Sequence, residues 1–354
     1  MSSRPPAQSL PARGLPARGL RTLGLLALLG LAPLSAHAQQ IVIELDEQRA
    51  EQLGLDANAL EADLRGQMGD DLKLDEQEEF LRQMGAANLM ASKGMGVDYA
   101  SNPQRFVFGG GVGTAVNAAG ARFGKGDEGL PTGGFAFQAA LLAGLNLGVA
   151  SGNDSALRRF VLYVDGMVAE TNPEPFHAST TNVATHLQVK LVRPKDHDGL
   201  IEWGGLDLTS GYEWSRYRLE LSKELPVETD GLAWEATGTL AIESDAASVP
   251  IELSSNFRVL VLSAYLGAAA DLALDSVTDS EIILAGPVFV DVQGGPENIG
   301  AASLSLEGQG LVDGVTGRLF GGAQVNIFFV KVYGHLNVGL DRSFGGHLGG
   351  RVAL

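Results

Sequence analysis

His177 and Ser179 have the spacing of a general base and a serine nucleophile. Because one residue separates them, a β-strand would place both side chains on one face, where an imidazole can take the proton of a hydroxyl. The pair follows Pro173 and Pro175, however, in a segment that we interpret as a loop, and no oxyanion-hole motif accompanies it. We therefore predict no catalytic residue here and no enzymatic activity.

Two further clusters have the composition of ligand sites. Asp196, His197 and Asp198 offer oxygen and nitrogen donors, but three neighbours in sequence do not close a coordination shell without distant partners. The run 109–113, four glycines and a valine, lacks the Gly-Lys-Ser/Thr ending of a phosphate-binding loop and precedes no helical pattern. We predict a surface turn and a strand at these positions, with neither a metal nor a cofactor.

Charged residues recur at alternate positions of strand-like segments. Leu187 and Val189 alternate with Gln188 and Lys190, and the same period of two runs through residues 104–354, with turn-forming clusters between the segments. By this parity we assign the polar faces to the inside of a barrel, where charges of both signs pair across the lumen or line a polar path. The charged candidates for the lumen are Lys190, Arg216, Arg218, Glu220, Glu235, Glu243, Asp271, Asp291, Glu307, Arg318 and Lys331.

Such alternation suits both a soluble β-sandwich and a transmembrane barrel, and the N-terminus favours the barrel. Basic residues up to Arg21 precede an apolar run of twelve residues from Leu23 to Leu34, and small residues at Ala36 and Ala38 suit a signal peptidase. Twelve helical residues reach only about 18 Å, too short to anchor the chain across a hydrocarbon core of roughly 30 Å. We predict export and cleavage of the signal peptide near Ala38.

The last strand-like segment, Phe344 to Leu354, stops on an apolar residue. It resembles the C-terminal assembly signal of Gram-negative outer-membrane β-barrels: a polar residue, a glycine, then two hydrophobic residues separated by one, here His347, Gly349, Val352 and Leu354. Leu354 stands where most such proteins carry an aromatic residue. The resemblance implies an all-β, transmembrane, antiparallel up-and-down barrel in the cell outer membrane, in contact with outer-membrane lipids and with the barrel-assembly machinery.

Chain length sets the expected size of the barrel. A spanning strand with its share of turn takes roughly 18 to 22 residues, so the 251 residues from Gln104 to Leu354 suggest about 12 to 14 strands. Such a barrel is wider than the eight-stranded kind, whose side chains fill the lumen. We therefore expect room for a narrow channel or an elongated ligand.

Residues 39–103 form an acidic segment between the signal peptide, residues 1–38, and the barrel, residues 104–354. From Gln39 to Asp98 it holds fourteen acidic and five basic residues, with leucines at helical spacing. Asp75 and Glu78 fit a capping box for a helix that carries Phe80. We interpret the segment as a short α-helical preface: a solvated helix, which its charge favours, a plug of the barrel mouth, or a spacer.

Composition narrows the function further. The formal net charge of −17 and the scarcity of Lys and Arg exclude nucleic acid as an expected partner, and the lack of cysteine excludes disulfides and thiolate metal sites. We predict a non-enzymatic pore or transporter for small or apolar solutes. The alternatives are a structural or adhesive outer-membrane protein, and a soluble periplasmic or secreted β-sandwich.

Overall fold

The computed structural model describes residues 39–52, 56, 58–59, 62, 74–101, 103, 105–118, 133–150, 156–172, 176–193, 201–229, 232–292 and 295–354. These residues include two helices, α1 (Glu47–Gln52) and α2 (Leu74–Ser92), and short 3-10 turns at Leu147–Ala150 and Ala156–Arg159. Their eleven strands are β1 (Gln39–Leu45), β2 (Phe106–Asn117), β3 (Gly134–Asn146), β4 (Phe160–Thr171), β5 (Phe176–Val192), β6 (Ile201–Thr229), β7 (Leu232–Val259), β8 (Leu262–Val292), β9 (Gly295–Ile327), β10 (Val330–Gly339) and β11 (Ser343–Ala353).

Ten of these strands close into a barrel. Each strand from β2 to β11 pairs in antiparallel register with the next one along the chain, and β11 returns to β2, where His347 lies opposite Gly113. β1 stays outside the ring and pairs with the first half of β9, with Val42 opposite Ser303. The prediction of an antiparallel up-and-down β-barrel is confirmed.

The two ends of the barrel differ. At what we call the short-turn end, two residues connect β7 to β8 (Leu260 and Val261) and β9 to β10 (Phe328 and Phe329), while eight connect β5 to β6 and thirteen connect β3 to β4. β2 begins and β11 ends there. At the protruding end, β6 to β9 continue past their neighbours as strands of 28 to 33 residues. We call the extension the protruding sheet; it comprises residues 215–229, 232–246, 276–292 and 295–312, together with β1.

The long strands account for the difference between the expected and the described strand number. The length estimate of about 12 to 14 strands assumed that every strand ends at the membrane surface. The described ring has ten strands with β1 beside it, because β6 to β9 each use about half of their residues in the protruding sheet. Sequence periodicity does not report where a strand leaves the membrane.

The outer face of the barrel wall is apolar and its inner face is polar. In β7, Ile251 and Leu253 are 54% and 45% exposed, whereas Glu252 and Ser254 are 1% and 2% exposed. A soluble β-sandwich has the opposite arrangement, because water favours charge outside and apolar side chains inside. The wall therefore has the polarity of an outer-membrane barrel, whose apolar face is turned to lipid.

The height of the apolar face matches a bilayer. On β7 the outward positions from Ala247 to Val259, a run of thirteen residues, are apolar except for Ser255. At about 3.3 Å per residue and a strand tilt of about 40°, this run spans roughly 30 Å along the membrane normal. The hydrocarbon core has the same thickness. The adjoining strands β8 and β9 continue the face with Leu266 and Leu319, both more than half exposed.

Polarity inverts in the protruding sheet. Trp234 and Ile242 are buried on its inner face, whereas Glu235 and Glu243 of the same strand point outward. β1 adds Ile43 to the inner apolar cluster. This is the polarity of a soluble β-structure. The same continuous strand therefore has an outer face that suits lipid in the barrel wall and an outer face that suits water in the protruding sheet.

Candidate functional site

One segment occupies the lumen. α2 begins at the protruding end, where Gln77 Nε2 donates a hydrogen bond of 2.9 Å to Ser280 Oγ of β8. Farther along, Leu81 and Met84 are buried against the inner wall. The chain then continues through residues 93–103 to the short-turn end, where β2 begins. We call the described residues of 74–103 the plug segment.

The position of α2 differs from the solvated helix that its charge favoured. Its acidic residues stand in the first turns, where Glu78 is exposed. From Gln83 to Ser92 the helix has no charged residue, and Ala87 and Ala91 are buried. The prediction used the charge of the whole acidic segment and therefore overlooked the neutral second half of α2. This second half is the part that the barrel encloses.

Amide and hydroxyl groups hold the middle of α2. Gln138 Nε2 of β3 donates to Asn88 Oδ1 at 2.7 Å, and Asn88 Nδ2 donates to Ser244 Oγ of β7 at 3.2 Å. Gln138 Oε1 accepts further hydrogen bonds from Thr180 and Asn182 of β5. Asn88 thus connects the helix to wall strands that stand four places apart in the ring.

Lys93 places a buried positive charge among acidic residues of the wall. Its Nζ lies 2.5 Å from Glu213 Oε2 of β6, 2.6 Å from Ser248 Oγ of β7 and 3.5 Å from Asp271 Oδ1 of β8. Lys93 is only 2% exposed, and its three partners are buried as well. Because a buried charge is tolerated only when it is paired, these contacts tie the plug segment to three strands at once.

A second charged cluster is centred on Arg318 of β9. Its guanidinium donates to Glu252 Oε1 at 2.6 Å and to Asp271 Oδ2 at 2.9 Å. Tyr99 of the plug segment donates to the other Glu252 oxygen at 2.7 Å. A third bond from Arg318, to Asn337 Oδ1 at 2.6 Å, reaches β10. Asp271 is shared between the two clusters, so the charges form one connected network across the lumen.

Arg351 of β11 binds the C-terminal part of the plug segment. Its Nη1 lies 3.2 Å from Asp98 Oδ1, with both side chains fully buried, and it donates to the Val97 backbone oxygen at 3.1 Å. The guanidinium stands 3.8 Å from the centre of the Tyr333 ring, a favourable cation–π arrangement. Wall and plug therefore compensate each other's charge from the end of α2 to the start of β2.

One side of the lumen is polar without being fully hydrogen-bonded. Among the described residues, the buried atoms Asp165 Oδ2, His186 Nδ1, Gln188 Nε2 and Thr209 Oγ1 have no hydrogen-bond partner within the protein. They lie on β4, β5 and β6 and face the loop that follows α2. Buried polar atoms at this density normally bind water. We call this region the polar seam; it is where a small solute would find polar partners.

Two glycines allow the plug segment to touch the wall. A Cβ atom on Gly96 would overlap Asp165 Oδ2, and one on Gly134 would overlap the backbone oxygen of Gln83. A side chain at Gly134 would force the backbones of the wall and the plug segment apart, whereas one at Gly96 would displace the Asp165 carboxylate.

The structure divides the eleven charged residues that parity assigned to the lumen. Asp271 and Arg318 belong to the charged network. Lys190 lies on the inner face, 3.3 Å from Asp207, and Lys331 lies on the inner row at the short-turn rim. The side chain of Asp291 lies outside the described residues. Six others are turned outward on the protruding sheet, contrary to the prediction, because polarity inverts there: Arg216, Arg218, Glu220, Glu235, Glu243 and Glu307.

The candidates for chemistry have ordinary surroundings. His177 and Ser179 lie in β5, not in the loop that we expected, and the polar contacts of His177 run to Asn172 and Glu170 rather than to Ser179. Residues 109–113 lie within β2, as predicted. Asp196, His197 and Asp198 lie outside the described residues. The part of the chain that the structure describes contains no group of three side chains suited to a metal.

Three residues of the C-terminal motif lie on β11, and Leu354 directly follows it. His347 and Gly349 are on the inner face, and Val352 and Leu354 are on the outer face, so the two hydrophobic residues point toward lipid. No helix among the described residues is long and apolar enough to cross a membrane.

The sequence predicted Asp271 and Arg318 in the lumen, but it did not predict the other residues that hold the plug segment. Glu252 stands alone between the outward residues Ile251 and Leu253, and Arg351 stands between Gly350 and Val352. An isolated charge on the inward face of an apolar strand was the available signal. For Lys93 and Asp98 no such signal exists, because nothing local indicates that this loop enters a barrel.

Solved structures offer only distant likenesses. The translocator domain of the autotransporter NalP from Neisseria meningitidis is 11% identical, with a TM-score of 0.28, over 84% of this chain and 98% of that one. Omp33 from Acinetobacter baumannii is 12% identical, with a TM-score of 0.24, over 71% and 99%. The transport unit of the autotransporter AIDA-I from Escherichia coli is 10% identical, with a TM-score of 0.22, over 79% and 99%. The fold assignment rests instead on strand pairing and polarity.

No curated protein sequence matches the chain. The model of the Lsa36-like family matches residues 35–354, which is nearly the whole chain, and the protein therefore belongs to the Lsa36-like family.

Proposed function

We propose that this protein is a non-enzymatic outer-membrane barrel that is closed by its own plug segment and that carries the protruding sheet outside the cell as a rigid binding surface. In this proposal the signal peptide is removed near Ala38, the barrel-assembly machinery inserts the chain, and outer-membrane lipids surround the apolar face. Short periplasmic turns and longer external segments are typical of such barrels, so the protruding end faces outward.

The buried charge network carries the proposal. Lys93 and Asp98 of the plug segment pair with Glu213 and Arg351 of the wall inside a lumen where their side chains are at most 4% exposed. Withdrawing the segment would leave the wall charges without partners, which is costly in a narrow lumen. A free-diffusion pore needs an open lumen, so the plug favours the structural or adhesive class over the pore that chain size suggested.

Passage of small solutes is the second candidate, and the polar seam favours it. Asp165 Oδ2, His186 Nδ1 and Thr209 Oγ1 lie on the neighbouring strands β4, β5 and β6 and have no hydrogen bond, although Asp165 Oδ2 lies 3.6 Å from His186 Nε2. Water held there could conduct small ions beside a stationary plug segment. A larger or apolar solute would require the plug segment to move.

Two measurements test the proposal together. The mature chain should appear in the detergent-solubilised outer-membrane fraction and migrate faster on a gel before boiling than after. Purified protein of this form should then be electrically silent in planar bilayers, with empty detergent as the control. Recovery in the soluble periplasm would overturn the membrane location. A steady ohmic conductance from the wild-type chain would replace the closed barrel with the solute passage.

A further inference from the structure

The start of β1 and the start of β2 lie at opposite ends of the barrel. β1 pairs with β9 inside the protruding sheet, where Leu45 lies opposite Gly300 and Asp46 N donates to the Ile299 oxygen at 2.8 Å. At the short-turn end, Arg105 N donates to the Leu354 oxygen at 2.8 Å, directly before β2. The chain between residues 46 and 105 therefore connects one side of the membrane to the other.

This connection runs through the lumen and not around the wall. The first half of α2 lies against the protruding sheet, where Gln77 contacts Ser280. Its second half enters the ring, where the wall glycines Gly113 and Gly345 face the backbone oxygens of Ala91 and Met90. Residues 93–101 complete the distance, and their contacts reach β6 through Lys93, β7 through Tyr99 and β11 through Asp98. A path outside the ring would place a charged, partly irregular backbone in lipid, which membranes do not tolerate.

We infer that the barrel carries its own N-terminal segment across the outer membrane, so that β1 is displayed outside the cell while β2 starts in the periplasm. The inference rests on the proposed function, which orients the protruding end outward. Because the ring has an even number of strands, ten, the end of β11 lies on the same periplasmic side as the start of β2. The plug segment adds one further crossing, so β1 lies on the opposite side. An exported chain that starts in the periplasm reaches this arrangement only if residues upstream of α2 pass through the lumen.

The packing also sets when the passage happens. Lys93 and Asp98 are buried in ion pairs with Glu213 and Arg351 of the wall, so moving the plug segment through the closed ring would break these pairs. β2 follows the plug segment directly, and the pairing of β11 with β2 closes the ring. The segment is therefore in place before or while this last pair forms, and afterwards the charge network holds it.

The chain has no cysteine, so single-cysteine variants report sidedness without a background. Glu44→Cys marks β1, Ser222→Cys marks a protruding hairpin, and Arg258→Cys marks the short-turn end; all three positions are exposed. Intact cells are treated with a membrane-impermeant maleimide, and the labelling is compared with that of cells whose outer membrane has been permeabilised. Heat-modifiability checks that each variant folds, and Val42→Cys replaces Glu44→Cys if that variant does not.

The inference expects equal labelling of Glu44→Cys and Ser222→Cys before and after permeabilisation, with labelling of Arg258→Cys lost in intact cells. If Ser222→Cys is labelled in intact cells and Glu44→Cys is not, the passage of the N-terminal segment is refuted while the proposed orientation stands. If Ser222→Cys reacts only after permeabilisation, the outward orientation in the proposed function is itself wrong, and the inference fails with it.

Discussion

Replacing Lys93 by methionine tests whether buried charge holds the plug segment. Methionine keeps most of the aliphatic stem and removes the ammonium group that Glu213, Ser248 and Asp271 share. Both carboxylates remain buried. Asp271 keeps Arg318 at 2.9 Å, but Glu213 loses the cation nearest to it.

The expected loss follows from this asymmetry. Removing one partner of a buried ion pair costs roughly 3–5 kcal/mol, because the other charge is left uncompensated. Since Asp271 keeps Arg318, and Glu213 keeps His186 Nε2 at 3.9 Å and a hydrogen bond from Ser248, we expect the lower figure, about 3 kcal/mol. This corresponds to a factor of roughly 10² in the ratio of folded to unfolded protein.

Urea titration in detergent micelles, followed by the fluorescence of the three tryptophans, measures this loss. Lys331→Met is the matched control, because Lys331 lies at the rim and donates to one backbone oxygen at 3.3 Å; its expected effect is about 0.5 kcal/mol or less. Adding Glu213→Gln to Lys93→Met should recover part of the loss. Equal stability of Lys93→Met and Lys331→Met would refute the claim that the charge network fixes the plug segment.

Three further outcomes follow from the structure. Gly96→Ala should lower the urea midpoint, because the new methyl group overlaps Asp165, and an unchanged midpoint would show that this contact is absent. Leu253→Arg should cost roughly 2–4 kcal/mol in lipid bilayers, whereas Thr237→Arg on the protruding sheet should be nearly neutral; equal costs would mean that Leu253 does not face hydrocarbon. Ser179→Ala should leave the hydrolysis of a fluorogenic phospholipid at the wild-type level, and a loss specific to this variant would establish an enzyme.

The barrel itself was predictable from the sequence, because alternation of polarity is a local property of each strand. Leu187 and Val189 against Gln188 and Lys190 have the faces that parity assigned. Parity alone does not say which face is inside, however. The signal peptide and the C-terminal motif indicated that the polar face lies inside, which is correct for the membrane half of the molecule.

The same decision was wrong for the protruding half, and the reason is physical. On β7 the inward residue Ile242 is apolar and the inward residue Glu252 is charged, although both belong to one uninterrupted strand. The solvent outside the wall changes from water to lipid between them. A strand of 28 residues is long enough to cross this boundary. Its polar and apolar residues alternate throughout, but the apolar residues face outward in one half and inward in the other.

Two glycines of the wall and the neutral half of α2 have one common explanation. Cβ atoms on Gly113 and Gly345 would come within 3.3 Å of the Ala91 oxygen and 3.2 Å of the Met90 oxygen, so the wall formed by β2 and β11 approaches the backbone of α2 directly. A helix with side chains measures about 10–12 Å across, and a ten-stranded ring has room for it only where the facing wall is small. Gly113 and Gly345, which alternation alone could only assign to strands, are therefore part of the surface against which the plug segment packs.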